Sequence, residues 1–426
     1  MEQIVVIGGG WAGCAAALAT AKRRKKVILC ERTDNLLGTG LVGGIMRNNG
    51  RYTAAEELIA MGAGELIQIT DQESCHENVN FPGHCHASLY NVYTVEPRVK
   101  KLLKNYGVEL RMCTRAIDVQ LEGERLTSVI LAGGSYIQGD VFIDATGTAG
   151  PMGNCTRYGN GCVMCIYRCP TFGPRISITA KCGVIEPPGL KEDGSPGLFS
   201  GSCELAKESL SDLLNRELAQ KGFAIIPLPD KIREERGKIL KDKACQQYAL
   251  PEYAENLVLL DTGAVKMMSP FIPLFSLRQL NGFQNARYVD PYAGGNGNSV
   301  RFTAIVDHHP TMQVRAVENL FCAGEKAGMM VGHTEAMLTG TLAGYNAALF
   351  AEGKEGLVLP QTTACGAFIA FCERELSRTE GRNFRYTFSG AIFWDYMLNN
   401  GLYSTNRRQI SERIAAAGLS GIFSAV

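Results

Sequence analysis

Neither sign of charge is in excess in this 426-residue chain, in which 43 Lys and Arg face 42 Asp and Glu for a formal net charge of +1. Without a basic excess there is no long-range pull on nucleic acid or on an anionic membrane. Neither is expected as a partner. No apolar run approaches the roughly 20 residues that a membrane-spanning helix needs. The first apolar strand starts at Gln3 or Ile4, which leaves no stretch for a secretory leader ahead of it. A cytoplasmic location is the expectation. Internal repeats and low-complexity tracts are missing too, and a second strand–GxGxxG–helix unit, the mark of a dedicated NAD(P)H domain, does not occur. What remains is a chain 46% hydrophobic, long enough to bury a large core and to form two or three domains.

The strongest signal opens the chain. Val5-Val6-Ile7 runs into Gly8-Gly9-Gly10-Trp11-Ala12-Gly13, then an Ala-rich stretch to Lys22, then Val27-Ile28-Leu29-Cys30 and Glu31. Strand, glycine turn, helix, strand and acid in this order form a dinucleotide-binding βαβ unit. Gly8 permits the tight turn, Gly10 lets the backbone approach a pyrophosphate, and Gly13 lets the helix pack closely on the sheet. The helix N-terminus offers amides and a positive dipole end to the phosphates. Glu31 arrives where a carboxylate accepts from ribose hydroxyls. The basic run Lys22 to Lys26 reads as the solvated end of that helix, where cations complement the dipole.

NAD-only domains finish in one contiguous stretch. Here a β-meander (117–121, a turn at 122–124, 127–131) leads into the strand Val141 to Asp144 and the small-residue turn Ala145-Thr146-Gly147. About 170 residues later, Asn319-Leu320-Phe321-Cys322 ends in Gly324-Glu325, and Gly332-His333-Thr334 opens another small-residue helix. A second helix N-terminus suits the far end of a long dinucleotide. A binding domain that opens the chain and closes more than 300 residues on points to FAD with a segment inserted.

Asn281 to Ala286 together with Asn319 to Ala348 resembles the end of the FAD domain in the glucose-inhibited-division-A flavoproteins, and is similar to the folate- and FAD-dependent tRNA uracil methyltransferases. The N-terminal third resembles the broad FAD-dependent oxidoreductase group of the glutathione-reductase fold. The resemblance implies that Gly8, Gly10, Gly13, Glu31, Gly38, Gly43, Thr146, Gly147, Gly324, Glu325 and Thr334 line FAD, with Arg32 and Gly332 beside them. Two departures count against RNA. The RNA-modifying relatives use a cysteine soon after the Glu of the second strand, whereas residues 36–49 contain none, and their long tRNA-gripping helical tail has no counterpart.

The chain has 15 cysteines, too many to ignore and, in a reducing cytosol, not a disulfide framework. Cys14, Cys30, Cys113, Cys245 and Cys372 are scattered and read as small buried hydrophobes. Cys155, Cys162, Cys165 and Cys169-Pro170 form a group. Its C-x2-C-x3-C-P ending matches the last part of the bacterial ferredoxin pattern and suggests a [4Fe–4S] cluster. Its first spacing differs, so Cys155 is the simplest fourth ligand, with Cys182 and Cys203 as alternates. A structural zinc, a Cys162–Cys165 dithiol and a ligand-free loop stand beside that reading.

Cys75-His76 and His84-Cys85-His86 lie in a polar stretch read as a loop. His84, His86 and His333 are the candidates for acid–base work, the first two on proximity to the flavin region and His333 on its helix N-terminus. The expected architecture is α/β: a Rossmann-like FAD domain (1–152 and 285–360), an inserted Cys-rich α+β substrate domain (153–284) and a helical C-terminal cap (361–426). A helix is expected over Cys203–Lys221, and Asp290–Ser299 reads as a lid or a surface loop. The expected function is an FAD-dependent oxidoreductase moving a hydride or electrons through flavin N5 on a small molecule, with a ferredoxin-like or NAD(P)H electron partner. The alternative is a folate/FAD-dependent RNA-modifying flavoprotein.

Overall fold

The computed structural model describes residues 2–147, 171–190, 194–195, 198–199, 203–233, 248, 250–268, 272–289, 300–301, 305–378 and 380–426. The proposed cysteine ligands Cys155, Cys162, Cys165 and Cys169, as well as Cys245 and the 290–299 segment, lie outside the described residues.

Ile4 to Ile7 form a continuous apolar run, as a strand covered on both faces requires. This strand, β1 (Gln3–Ile7), is the centre of a parallel sheet in the order β17 (Leu320–Cys322), β10 (Val141–Asp144), β1, β2 (Lys26–Cys30) and β6 (Glu109–Arg111). Helix α1 (Trp11–Lys22) follows β1 directly, and almost all of it is buried. Its cover is the long helix α5 (His333–Ala351), which approaches so closely that a methyl group at Gly340 or Gly344 would sit 2.1 or 2.2 Å from the carbonyl oxygens of Ala12 or Ala16. The expected meander is present as β7 (Ala116–Glu122), β8 (Arg125–Leu131) and β9 (Tyr136–Gln138).

A second, antiparallel sheet runs β12 (Cys203–Leu205), β15 (Ala264–Met267), β14 (Asn256–Thr262) and β13 (Phe223–Pro227), and has its own apolar core around Leu205, Leu218, Leu259, Met267 and Phe283. The helix expected from Cys203 starts later. Cys203–Leu205 is strand, and helix α4 covers Asp212–Lys221 behind a Ser211 cap whose side chain accepts from the Leu214 amide. Leu205 is buried by cross-strand pairing with Val265, so tertiary packing overrode the helical spacing.

The His/Cys stretch read as a loop is a hairpin, β4 (Ser74–Phe81) and β5 (His84–Tyr90), joined at β5 by β3 (Ile45–Met46). Ile45, Val79, Phe81 and Leu89 pack on Tyr253, Val258 and Leu260, which ties this hairpin to the second sheet. A short pair, β11 (Leu198–Phe199) and β16 (Val300–Arg301), completes the strands described. Helix α3 (Gly50–Ala60) carries the C-terminal helices α6 (Ala364–Leu376) and α8 (Arg407–Ala416), with α7 (Ala391–Asn399) between them in sequence. Buried Glu57 accepts from the Ala364 and Cys365 amides at the start of α6 (2.9 and 2.8 Å). Among the described residues no helix is long and apolar enough to cross a membrane.

Candidate cofactor cleft

A cleft open to solvent, about 1000 Å³ with its solvent-filled mouth, follows the C-terminal ends of β1, β2, β10 and β17, the edge where ligands bind in open α/β sheets. The three fingerprint glycines divide the work of shaping it. Gly8 has φ +104°, and a methyl group there would lie 2.3 Å from the Ala145 carbonyl oxygen. At Gly13 the methyl would be 1.8 Å from the Gly8 carbonyl oxygen, so close packing of α1 forbids a side chain. Gly10 is different. Nothing lies within 4 Å of the place its Cβ would take, and the open space faces the cleft at the N-terminus of α1. A phosphate-sized group fits where that side chain is missing.

Gly8, Gly10, Glu31, Arg32, Gly38, Thr146, Gly147, Gly324, Glu325, Gly332 and His333 all line the cleft. Glu31 is buried, with one carboxylate oxygen accepting from the Gly9 amide (2.7 Å) and the other from Thr33 (2.9 Å). Each oxygen retains a lone pair for a ribose hydroxyl. Arg32 donates to the Gly173 carbonyl at 2.5 Å. Gly13, Gly43 and Thr334 lie behind the lining rather than in it. Gly13 sits under the glycine turn, Gly43 packs on the His333 ring, and Thr334 has a buried hydroxyl oxygen without a hydrogen-bond partner. Trp11 Nε1, on a cleft-lining side chain, is a second buried atom of this kind. An extended dinucleotide suits this set: an acid at one end, an open glycine in the middle, and a helix N-terminus at the other.

The sequence reading missed what holds the Thr146-Gly147 turn. Buried Asp144 accepts from the Thr146 amide and hydroxyl (3.1 and 2.7 Å) and from the Thr179 amide and hydroxyl (2.9 and 2.7 Å). Behind it Lys326, also buried, reaches Glu186 (2.5 Å) and Ser177 (2.5 Å), with Asp144 at 4.0 Å. Burial pushes the Glu186 carboxyl up, partly offset by the Lys326 charge. At the far end, Gly332 (φ +138°) allows Glu335 to sit against the start of α5. There Glu335 accepts from Arg51 (3.1 Å), Thr387 (2.6 Å) and the Phe388 amide (2.9 Å). No local spacing links residues 51, 335 and 387.

Of the acid–base candidates only His333 is at the cleft. His84 is buried between the rings of Phe81 and Tyr248, accepts from Asn48 Nδ2 at Nδ1 (2.9 Å), and leaves Nε2 without a partner. Burial, helped by the nearby Arg51 charge, pushes its pKa down to about 3. His86 pairs with Asn78 (3.0 Å) beside Tyr52 and, like His84, is absent from the cleft lining. His76 pairs with Asp261 instead (3.0 Å). No three His, Cys, Asp or Glu side chains converge as a metal site among the described residues. Cys14, Cys30 and Cys372 are buried, and burial raises their thiols, but Cys113 is exposed, contrary to the expectation of a buried hydrophobe.

A profile of the family described as glucose inhibited division protein A matches residues 3–186 and 266–355, well over half of the chain. The chain belongs to that family. It is a GidA-like FAD-dependent flavoprotein with a Rossmann-type α/β fold. The tRNA uridine 5-carboxymethylaminomethyl modification enzyme MnmG of Desulfotalea psychrophila is 24% identical over 421 residues, covering 85% of this chain and 62% of the relative. MnmG of Clostridium kluyveri is 25% identical over 419 residues, covering 85% and 64%. The chain thus spans less than two thirds of the length of these curated relatives. Among solved structures, Aquifex aeolicus GidA in the form I crystal superposes with a TM-score of 0.66 at 16% identity, covering 97% of this chain and 78% of that one. The fold is therefore shared. The family match also overturns the exclusion of nucleic acid as a partner, since the relatives are named for tRNA modification. The exclusion failed because net charge sums over all 426 residues, whereas nucleic acid is met by a local patch. These relatives lend no support to an iron–sulfur cluster.

Proposed function

We propose that this GidA-family chain is an FAD-dependent tRNA-modifying flavoprotein rather than an oxidoreductase of a small metabolite. The observation that carries the reading is the glycine-cradled cleft in a chain whose MnmG relatives are named for tRNA uridine modification. When bound, FAD supplies hydride or electron transfer at its N5. Glu31 takes the ribose at the end of β2, and Gly8 and Gly10 admit the pyrophosphate to the α1 amides. Arg32, Gly38 and Gly147 border that stretch, and Gly13 and Gly43 shape it from behind. Gly324, Glu325, Gly332 and Thr334 receive the other end at the start of α5. His333 is the group placed to hold or move a proton there. The unit 203–289 faces the substrate.

Residues 36–49 carry no cysteine, so a thiol nucleophile from that segment is excluded in this chain. The C-x2-C-x3-C-P spacing favours a second, finer reading in which Cys155, Cys162, Cys165 and Cys169 hold a [4Fe–4S] cluster that passes single electrons to a ferredoxin-like partner. Four irons and four sulfides per flavin in an anaerobic preparation, abolished by Cys162→Ser, are the expected result for it. Flavin alone would remove it.

The deciding experiment incubates the FAD-loaded protein with unfractionated tRNA over a salt series. Binding that weakens linearly in log salt, with altered uridines on nucleoside mass spectrometry, is expected. Absence of both at physiological salt would return the small-molecule reading to first place.

A further inference from the structure

Between the cofactor cleft and the second sheet lies α2 (Gly40–Gly43), a single turn held from both sides. On the cleft side its glycines meet two rings that line the cleft. A methyl group at Gly40 would be 2.4 Å from Trp11 Nε1, and one at Gly43 would be 1.6 Å from His333 Cε1. Fully buried Tyr90 donates its hydroxyl to the Gly40 carbonyl at 2.6 Å and stands edge-on to Trp11, with ring centres 6.0 Å apart. Its hydroxyl oxygen is 3.4 Å from His333 Nδ1. The two rings occupy their places because the turn beside them has no side chains at 40 and 43.

On the other side the second sheet grips the turn. Lys266 of β15 is 4% exposed and donates from Nζ to the Val42 carbonyl at 2.5 Å. The β14–β15 corner follows, with Thr262 packed where a methyl on Gly44 would be 2.3 Å from its Cγ2. The Thr262 carbonyl accepts from the Val92 amide at 3.0 Å, two residues past Tyr90. A one-turn helix leaves its carbonyls unsatisfied, and Lys266 supplies a donor for one of them. Burying an ammonium is costly unless it is hydrogen-bonded and faces an opposite charge. Glu204 lies opposite Lys266 in the β12–β15 register, and its Oε1 is enclosed without a hydrogen-bond partner. Burial pushes the Glu204 carboxyl up to about 7 against the pull of Lys266.

We infer that Lys266 is a positioning residue for the cofactor cleft. Through the Val42 carbonyl it fixes the α2 turn, and through Gly40 and Gly43 the turn fixes the planes of Trp11 and His333. The second sheet is thereby coupled mechanically to the flavin environment. The inference rests on FAD occupying the cleft and is independent of which substrate is modified.

The test uses the FAD-loaded full chain with Lys266→Met, Lys266→Arg, Gly43→Ala and the Lys266→Met/Gly43→Ala pair. The readouts are the FAD dissociation constant, the visible circular dichroism of the bound flavin and its midpoint potential, with far-UV circular dichroism as the control for folding. Lys266→Met is expected to raise the dissociation constant about tenfold and to change the flavin bands. Lys266→Arg should restore both. Gly43→Ala should change the same bands, and the pair should fall well short of additivity, as residues acting through one element do. A folded, FAD-loaded Lys266→Met with wild-type affinity, bands and potential would overturn the inference, as would strictly additive effects in the pair. If Lys266→Met does not fold, Lys266→Gln is read against the same outcomes. A lowered melting temperature with unchanged flavin bands in that variant would make Lys266 a structural fastener and overturn the inference as well.

Discussion

In the parallel sheet the cleft is shaped by side chains that are missing, whereas the antiparallel sheet stands behind the α2 turn and works through charged ones. Gly8 and Gly13 define the first wall by letting backbone approach backbone, and Gly10 leaves open space beside it. The second sheet offers Lys266 to Val42 and holds Asp261 between His76 (3.0 Å) and Lys207 (2.8 Å). The spacing of these glycines is a local pattern in the chain, even where the backbone that Gly8 meets is that of Ala145. A contact between residues 76 and 261 exists only after the fold has formed. The contrast gives four expectations that would break or sharpen it.

The largest effect belongs to Gly13→Ala. Its methyl must displace the Gly8 carbonyl, so unfolding free energy should fall by about 3 kcal/mol or more and FAD should be lost with it. Denaturant titration with flavin fluorescence reads both. A stable Gly13→Ala protein would show that α1 can retreat and that the glycine wall is not rigid.

Asp261→Asn should cost about 2 kcal/mol at neutral pH. Burial alone would raise this carboxyl, but hydrogen bonds from Lys207 and His76 hold it below the usual 3.8. A carboxylate with a depressed pKa contributes its stability above the unfolded value and loses it as pH falls through the folded one. The gap between wild type and variant should therefore close below about pH 4. A gap that persists in acid would assign the effect to packing rather than charge.

His84 gives a slope. It is neutral when folded, with a pKa near 3, and titrates near 6.5 when unfolded. Its contribution is complete above that unfolded value. Below it, wild type should lose about 1.4 kcal/mol per pH unit relative to His84→Gln until the folded pKa is approached. Parallel pH profiles of unfolding would show instead that the histidine is solvated.

Gly10→Ala should have the smallest effect on stability, within about 0.5 kcal/mol, because no atom of the chain lies near the new methyl. Its FAD dissociation constant should nevertheless rise at least about tenfold. Equal losses in stability and affinity would mean that Gly10, like Gly13, serves packing alone.

Legibility followed the same division. The βαβ unit, the meander, the strands at 141 and 320 and the helix opening at His333 could be read because each is encoded within about 20 neighbouring residues. The Cys203–Lys221 segment was misread because Leu205, Leu210 and Leu214 fit a helical stripe, while the Leu205–Val265 pairing that makes a strand is set 60 residues away. His84 and His86 looked like flavin groups by proximity in sequence. The hairpin turns them away from the cleft. Lys326, Trp11, Tyr90 and Lys266 carried no motif, though Trp11 stood inside the glycine fingerprint and was open to notice.

The sequence by itself determined the dinucleotide-binding type of βαβ unit at β1, because glycine spacing, strand periodicity and an acid after the second strand act over a few residues. Tertiary structure alone decided which polar groups support that cleft: Asp144 with Thr179, Arg51 with Glu335, Lys266 with Val42. Each of these pairs joins residues from 35 to 284 positions apart. The physical reason is that a buried charge is tolerable only where the finished fold supplies its partner, and chain order does not say who that partner is.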